Sequence, residues 1–399
     1  MSDSVELNHI EPRTLPLDFE LDIRKRLEQL REWDAYHQRE EAMLIRRAEL
    51  LDPSKHVDEL KLAQIASQVR RLRLQLVREP IEIRPEVVGQ IGYARLRERL
   101  TSQFVLLTRE ERLLWLRNFL FIMTPDLRQL GSKIAQLRSY SALGQRRCFL
   151  LGGPSGMGKS TYLDWYASHY PPTVKETCTH APIVRVDAPV TNNTPKPLYE
   201  RILLEFGMQS FKGCNEESLL RKIIGYFLKC HSELLALDEI EHIVRPDLKR
   251  RILELSNVST GVHIICASCN PILWTEGDAE IKGRWNDYFD LQQYTGERLE
   301  GLLSFIDLLL PFTADSYLRI SKIEAGSKAN ETIEGPATLI EQLTGGILRD
   351  IMILVGDASR RAILQNLPAL TPSLLQATWQ DIQTKRVTDF LTITKGSGG

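Results

Sequence analysis

CFLLGGPSGMGKST, residues 148–161, decides how the rest of this chain is read. Four apolar residues, Cys148 to Leu151, break into glycine, and the helical pattern TYLDWYASHY follows at 161–170. Between them Gly153, Pro154, Ser155, Gly156, Met157, Gly158, Lys159 and Ser160 fit GxxxxGK[ST] without a mismatch, with Thr161 next in line. Strand, glycine-rich turn and helix start is the context in which such a segment cradles phosphate. The glycines let the backbone curl so that its amides point inward, and the unpaired N–H groups of the helix start add to the anion site. Lys159 is expected to reach the β and γ phosphates, and the hydroxyl of Ser160 to hold Mg2+, so ATP and Mg2+ are the expected cofactors.

A phosphate cradle needs a second magnesium anchor on a neighbouring strand. Leu234-Leu-Ala-Leu-Asp238-Glu239 supplies one, an acid directly at the end of an apolar run. Asp238 is the expected partner of the metal through water. Glu239 is the expected base or orienting group for the attacking water. Acids often follow strands for solubility alone; the cradle upstream is what gives this pair its meaning.

Two more apolar runs, PIVRVDAP at 182–189 and VHIICAS at 262–268, are separated from their neighbours by helical sequence. This alternation predicts a parallel sheet between helices. Upstream the chain reads as helical. Ile23, Leu27, Leu30 and Trp33 have the three-four spacing of an amphipathic helix over 19–51, ended by Asp52-Pro53. Leu62, Ile65, Val69, Leu72 and Leu76 form the stripe of a second, with Arg70, Arg71 and Arg73 beside it. A solvated basic face is the expectation there, since acids balance the segment. Pro80 and Pro85 mark a linker, Thr108 to Glu111 has the form of a capping box, and Thr124-Pro125 opens another helix. The predicted division is a helical, partner-binding extension over 1–85, an ATPase core over 86–310, a helical lid over 311–395 and a flexible tail over 396–399.

The 399 residues exceed what one hydrophobic core usually serves, and the composition, 43% hydrophobic and 26% charged, is that of a folded globular protein. A formal net charge of -1 supplies no overall attraction for nucleic acid, so any such binding needs a local patch or an assembled ring. The first twenty residues lack a signal-peptide pattern and no run is long and apolar enough for a membrane span, which places the expected protein in the bacterial cytoplasm without a membrane partner. The six cysteines read as reduced thiols, and the lone pair Cys266 and Cys269 has no second pair to make a zinc site.

GPSGMGKST also resembles small-molecule kinases, so the cradle alone does not choose a family. Downstream residues do. Asn270 after VHIICAS looks like the first sensor of AAA+ proteins, although Ser268-Cys269-Asn270 departs from the family's common Gly-Thr-Pro and leaves Ser268 as the alternative. Arg284 sits like their arginine finger, and Gly346-Ile-Leu-Arg349 resembles the second sensor of a helical lid. The predicted fold is therefore an α/β AAA+ P-loop core with a helical lid and a helical N-terminal extension.

Within AAA+, three blocks resemble the transposition-regulating ATPases of the TniB and TnsC kind: VDAPVTNNTPKPLYERILLEFG at 186–207, GRWNDYFDLQQYTGERLEGLLSFIDLLLP at 283–311 and TGGILRDIMILVGDASRRAI at 344–363. The resemblance implies a magnesium-dependent ATPase that assembles as a homo-oligomeric ring or filament on double-stranded DNA. It further implies that the protein links a target-selection protein of the TniQ or TnsD kind to a transposase, with CRISPR-associated transposons among the settings. Thr191, Lys196 and Lys212 are the expected contacts to DNA backbone phosphate. A replication-initiator-like loader and a nucleotide-switched scaffold without DNA binding are the competing readings; a metabolite kinase leaves Arg284 and the lid without a role. Phe211, Trp274 and Tyr294 are read as packing residues.

Overall fold

The run Cys148–Gly152 forms the next-to-edge strand of a five-stranded parallel sheet in the computed structural model. The structure describes residues 15–16, 22–75, 80–82, 84–117, 121–139, 148–175, 178–190, 194–208, 210–258, 262–285, 287–324 and 332–396. Contacts divide the chain into two units interleaved in sequence. One contains residues 32–79 and 125–292, the other 15–31, 80–124 and 293–399.

In the first unit the strands are β1 Cys148–Gly152, β2 Ile183–Asp187, β3 Leu234–Asp238, β4 His263–Ala267 and β5 Asp287–Asp290, in the spatial order β2-β3-β4-β1-β5. Every pairing is parallel. β1, β3 and β4 are buried at every residue, which is why they read as continuous apolar runs: helices cover both faces of a parallel sheet. The sequence patterns found these strands and β2. They did not find β5, whose four residues DYFD lie on an edge, partly exposed, and lack such a run.

The helices, numbered along the whole chain, begin with α1 Ile23–Glu49, α2 His56–Gln75, α3 Pro85–Ile91, α4 Tyr93–Phe104, α5 Arg109–Leu116 and α6 Pro125–Ser139. α7 Lys159–Ser168 follows β1, α8 Lys196–Glu205 and α9 Glu216–Lys229 connect β2 to β3, and α10 Pro246–Val258 connects β3 to β4. α11 Pro271–Thr275 and α12 Ala279–Arg284 lead to β5. α6 starts at Pro125 as expected and buries Leu127, Leu130, Ile134 and Leu137. Trp274 and Trp285 meet edge to face at 5.3 Å and, with Phe211, belong to the core beneath the sheet.

α2 differs from the expectation of a solvated basic face. It lies against α7 and α8, and two of its arginines reach acids there: Arg71 donates to Glu205 at 3.0 Å and to the carbonyl of Arg185 at 2.8 Å, while Arg70, itself exposed, donates to Asp187 at 2.8 Å; the side chain of Arg73 lies outside the described residues. The acids that neutralise them belong to the sheet and to α7 and α8, not to the helix itself, so sequence-local charge balance misjudged the face.

The second unit contains α3 to α5, α13 Gly296–Leu309, α14 Pro336–Thr344, α15 Leu348–Leu364 and α16 Pro372–Gly396. The capping box is present: Glu111 N donates to Thr108 Oγ1 at 3.2 Å and Thr108 N to Glu111 Oε2 at 2.9 Å. Trp115 is fully buried and its indole donates to the carbonyl of Leu309 at 2.7 Å. Arg97, itself buried, collects the carbonyls of Asp307 and Phe312 at 2.6 and 3.2 Å, supplying donors to the end of α13, where helix carbonyls have no internal partner. Tyr294 is buried here, as its packing role predicts.

Candidate nucleotide-binding site

The carboxyl ends of β1, β3 and β4 open on one edge of the sheet, where ligands of open α/β folds bind. At the end of β1 the chain needs conformations that a side chain resists. Gly153, Gly156 and Gly158 have φ of 127°, 85° and 93°, and a Cβ on Gly153 would meet the carbonyl oxygen of Leu291 at 2.5 Å. Gly158 precedes α7, whose first turn presents unpaired amides to the curl. Lys159 is buried within this loop, and its amine donates to the carbonyls of Gly153 and, at 3.0 Å, Pro154. An ammonium whose partners are neutral carbonyls can exchange them for charged acceptors. Ser160 is exposed beside it, Thr161 is half-buried, and Met157 anchors the loop in the interior.

β3 is two strands from β1, which puts the ends of these strands roughly 10 Å apart at ordinary strand spacing. Asp238, the last residue of β3, is buried; its Oδ1 accepts from Glu239 N at 2.9 Å and its Oδ2 from Arg185 at 2.7 Å. Glu239 takes a left-handed conformation, φ 56°, and its side chain is half exposed. Burial, and then the charges of Asp187 and Asp238, hold its carboxyl above the usual range, which suits a proton acceptor. The Cys269 thiol, just past β4, is raised first by burial, with the charge of Lys159 lowering it and those of Glu241 and Asp238 raising it.

Between them, β4 is followed by Ser268, which is buried, donates its N–H to the carbonyl of Leu151 at 3.0 Å, and accepts at Oγ from Asn270 N at 3.2 Å. Asn270 is exposed, and its side chain caps α11 by accepting from Leu273 N at 3.3 Å. Arg284 ends α12 and is exposed.

Arg349 belongs to the second unit, on the first turn of α15, where it pairs with Asp350 at 3.3 Å. Gly346 just before has φ 72° and its carbonyl accepts from Tyr294 N at 2.9 Å. Lys196 begins α8, with Glu200 at 3.9 Å, and Lys212 is exposed in the turn before α9. Thr191 lies outside the described residues.

The motifs missed Arg185, Asp187 and Asp164, whose charges surround Asp238. The available signal was a lone arginine inside the otherwise apolar strand IVRVD. The loop glycines, the α7 amides, the Ser160 hydroxyl and the Asp238 carboxylate are the residue types that would fit a magnesium nucleotide, and a Cβ on Gly153 would strike the Leu291 carbonyl.

Residues 142–273 match the AAA domain family model. A search of curated proteins finds no match. Among solved structures, the chain is similar to the Aeropyrum pernix ORC2 protein in its ADPNP-ADP complexes, with 14% identity, 64% of this chain and 68% of that chain covered, and a TM-score of 0.46. It is also similar to Cdc6p from Pyrobaculum aerophilum, with 16% identity, 63% and 65% covered and a TM-score of 0.45. A Drosophila ORC structure bound to DNA gives 12%, 78% and 72%, and 0.39. The domain match and the strand order carry the assignment of an AAA+ P-loop fold. Among the described residues no helix is long and apolar enough to cross a membrane.

Proposed function

We propose that this chain is a magnesium-dependent ATPase that regulates DNA transposition in the manner of the TniB and TnsC proteins, oligomerising on double-stranded DNA and linking a target-selection protein to the transposase. The observation that supports the nucleotide half is the sheet register, which sets the carboxyl end of β1, leading into the Lys159 loop, and that of β3, ending in Asp238, on one edge of the sheet. The three sequence blocks that resemble those regulators carry the transposition half.

Bound Mg2+ would draw charge from the phosphates. Lys159 and the α7 amides would hold the β and γ phosphates, Ser160 and, through water, Asp238 would hold the metal, and Glu239 would take the proton of the attacking water. Asn270 or Ser268 orients that water or the γ phosphate. Arg284, exposed at the end of α12, enters the ATP site of a second copy. Arg349 touches the γ phosphate of its own. Lys196, Lys212 and Thr191 face the DNA backbone, and the residues before 86 recruit partners.

Electron microscopy of the protein with duplex DNA and a slowly hydrolysed ATP analogue tests this reading. Rings or spirals threaded by DNA are expected, with binding that weakens steeply as salt is added. Capture of a transposase supports the proposal. Capture of a helicase moves the assignment to a replication loader, and absence of DNA binding with ATP present moves it to a nucleotide-switched scaffold.

A further inference from the structure

Asp187 and Asp238 stand at paired positions at the ends of β2 and β3, two carboxylates side by side. Like charges so placed repel. Arg185, two residues back on the same face of β2, resolves the conflict from a position 1% exposed. One nitrogen donates to Asp187, another to Asp238 at 2.7 Å, and Nε stands 2.9 Å from Asp164 of α7, the helix that opens on Lys159.

The network extends to α2. Arg70 reaches Asp187 at 2.8 Å and Asp164 at 3.4 Å, and Arg71 lies 3.7 Å from Asp164. Three arginines thus face three aspartates. Burial alone would raise the Asp187 carboxyl, but Arg185 and Arg70 outweigh it and hold it below its usual value. At Asp164 burial wins over the arginines and the carboxyl is raised, so the cost of the cluster falls there.

A buried ion cluster is weak evidence of stability, because apolar residues of similar volume often serve as well. What this one does is orient Asp238. Its Oδ2 is held by Arg185 and its Oδ1 by Glu239 N, which leaves a lone pair on each oxygen for metal-bound water. A carboxylate free to rotate would present those lone pairs only part of the time. The planar guanidinium spans three acids in fixed directions, which an ammonium on the same strand does not.

We infer that Arg185 is a positioning residue for magnesium binding, fixing the Asp238 carboxylate from behind and tying it to α7 and to α2. The inference rests on the reading of Asp238 as the magnesium-side acid.

Arg185→Lys keeps the charge and removes the fork. Hydrolysis of ATP titrated with Mg2+ is expected to need roughly tenfold more metal for half-maximal rate, the scale of losses when a residue supporting a metal ligand is changed. Binding of a fluorescent ATP analogue in EDTA stays within about twofold of wild type, since the cradle is untouched; a merely structural defect would lower both. If wild type shows no Mg-dependent hydrolysis, the nucleotide reading itself fails. If wild type shows it and Arg185→Lys has the same metal requirement, the positioning role is overturned. Should the variant not fold, a crystal structure of wild type with Mg2+ and a non-hydrolysable ATP analogue decides. Arg185 within hydrogen-bond distance of Asp238 is expected, and an Arg185 that has swung away overturns the inference.

Discussion

The amine of Lys159 donates to the carbonyl of Pro154, five residues before it in the same loop, at 3.0 Å. Phosphate oxygens would replace neutral carbonyls with charged acceptors, and charge-assisted hydrogen bonds are about twice as strong. Lys159→Ala is expected to weaken ATP binding by at least about tenfold, from the roughly 1.5–3 kcal/mol of a hydrogen bond to a charged group. Titration with a fluorescent nucleotide measures it, and circular dichroism should show the fold retained.

Glu239→Gln keeps the shape of the side chain and removes its basicity. Nucleotide binding is expected to persist while turnover falls by roughly a hundredfold or more. Because burial and the neighbouring aspartates raise the Glu239 carboxyl, the wild-type rate should climb with pH through a limb above the ordinary carboxylate range. A steady-state pH profile that is flat there would remove Glu239 as the base.

Arg284→Ala should leave the monomer folded and abolish ATP-dependent assembly or turnover. The two lesions of Arg284→Ala and Glu239→Gln lie in different partners of a shared site. Mixing the inactive variants is therefore expected to restore part of the hydrolysis, since some interfaces combine an intact finger with an intact base. No recovery on mixing, with each variant folded, counts against a finger acting between subunits.

Arg349 pairs with Asp350 on an exposed helix turn, a contact of the kind worth about 0–1 kcal/mol. Arg349→Ala is accordingly expected to leave the melting temperature nearly unchanged. Nucleotide affinity should fall several-fold if the side chain meets the γ phosphate, and isothermal titration separates the two effects.

Asp307 lies fully buried in the second unit and accepts from Ser316 N and Leu318 N at 3.2 Å each. Burial, with Asp315 beside it, pushes its carboxyl up to about 7 from 3.8. The folded state then holds a proton that the unfolded chain has lost, so stability is greatest below that window and declines as pH rises through about 7. Thermal unfolding should show a steeper loss between about pH 4 and 7 for wild type than for Asp307→Asn, which cannot titrate.

The parts of this protein that obey local rules were legible along the chain. β1 to β4 announced themselves as apolar runs because a sheet covered on both faces has no polar side to alternate with. The glycine loop at 153–158 between strand and helix, and the acids that close β3, were legible because the motif fixes residue types at fixed spacing. The Thr108–Glu111 capping box and Pro125 at the start of α6 needed only their own helix turns.

Tertiary structure decided what depends on residues far apart in sequence. β5 exists because Phe149 to Gly152 offer it a pairing edge, although DYFD by itself has too few apolar residues to be recognised. The second unit joins 15–31 and 80–124 to 293–399, as when Trp115 meets Leu309, and no linear pattern carries that interleaving. Arg70 and Arg71 read as part of a solvated basic face, and Arg185 carried no reading at all. Folding brings them to Asp164, Asp187 and Asp238, because charges taken from water must find opposite charges wherever the backbone places them.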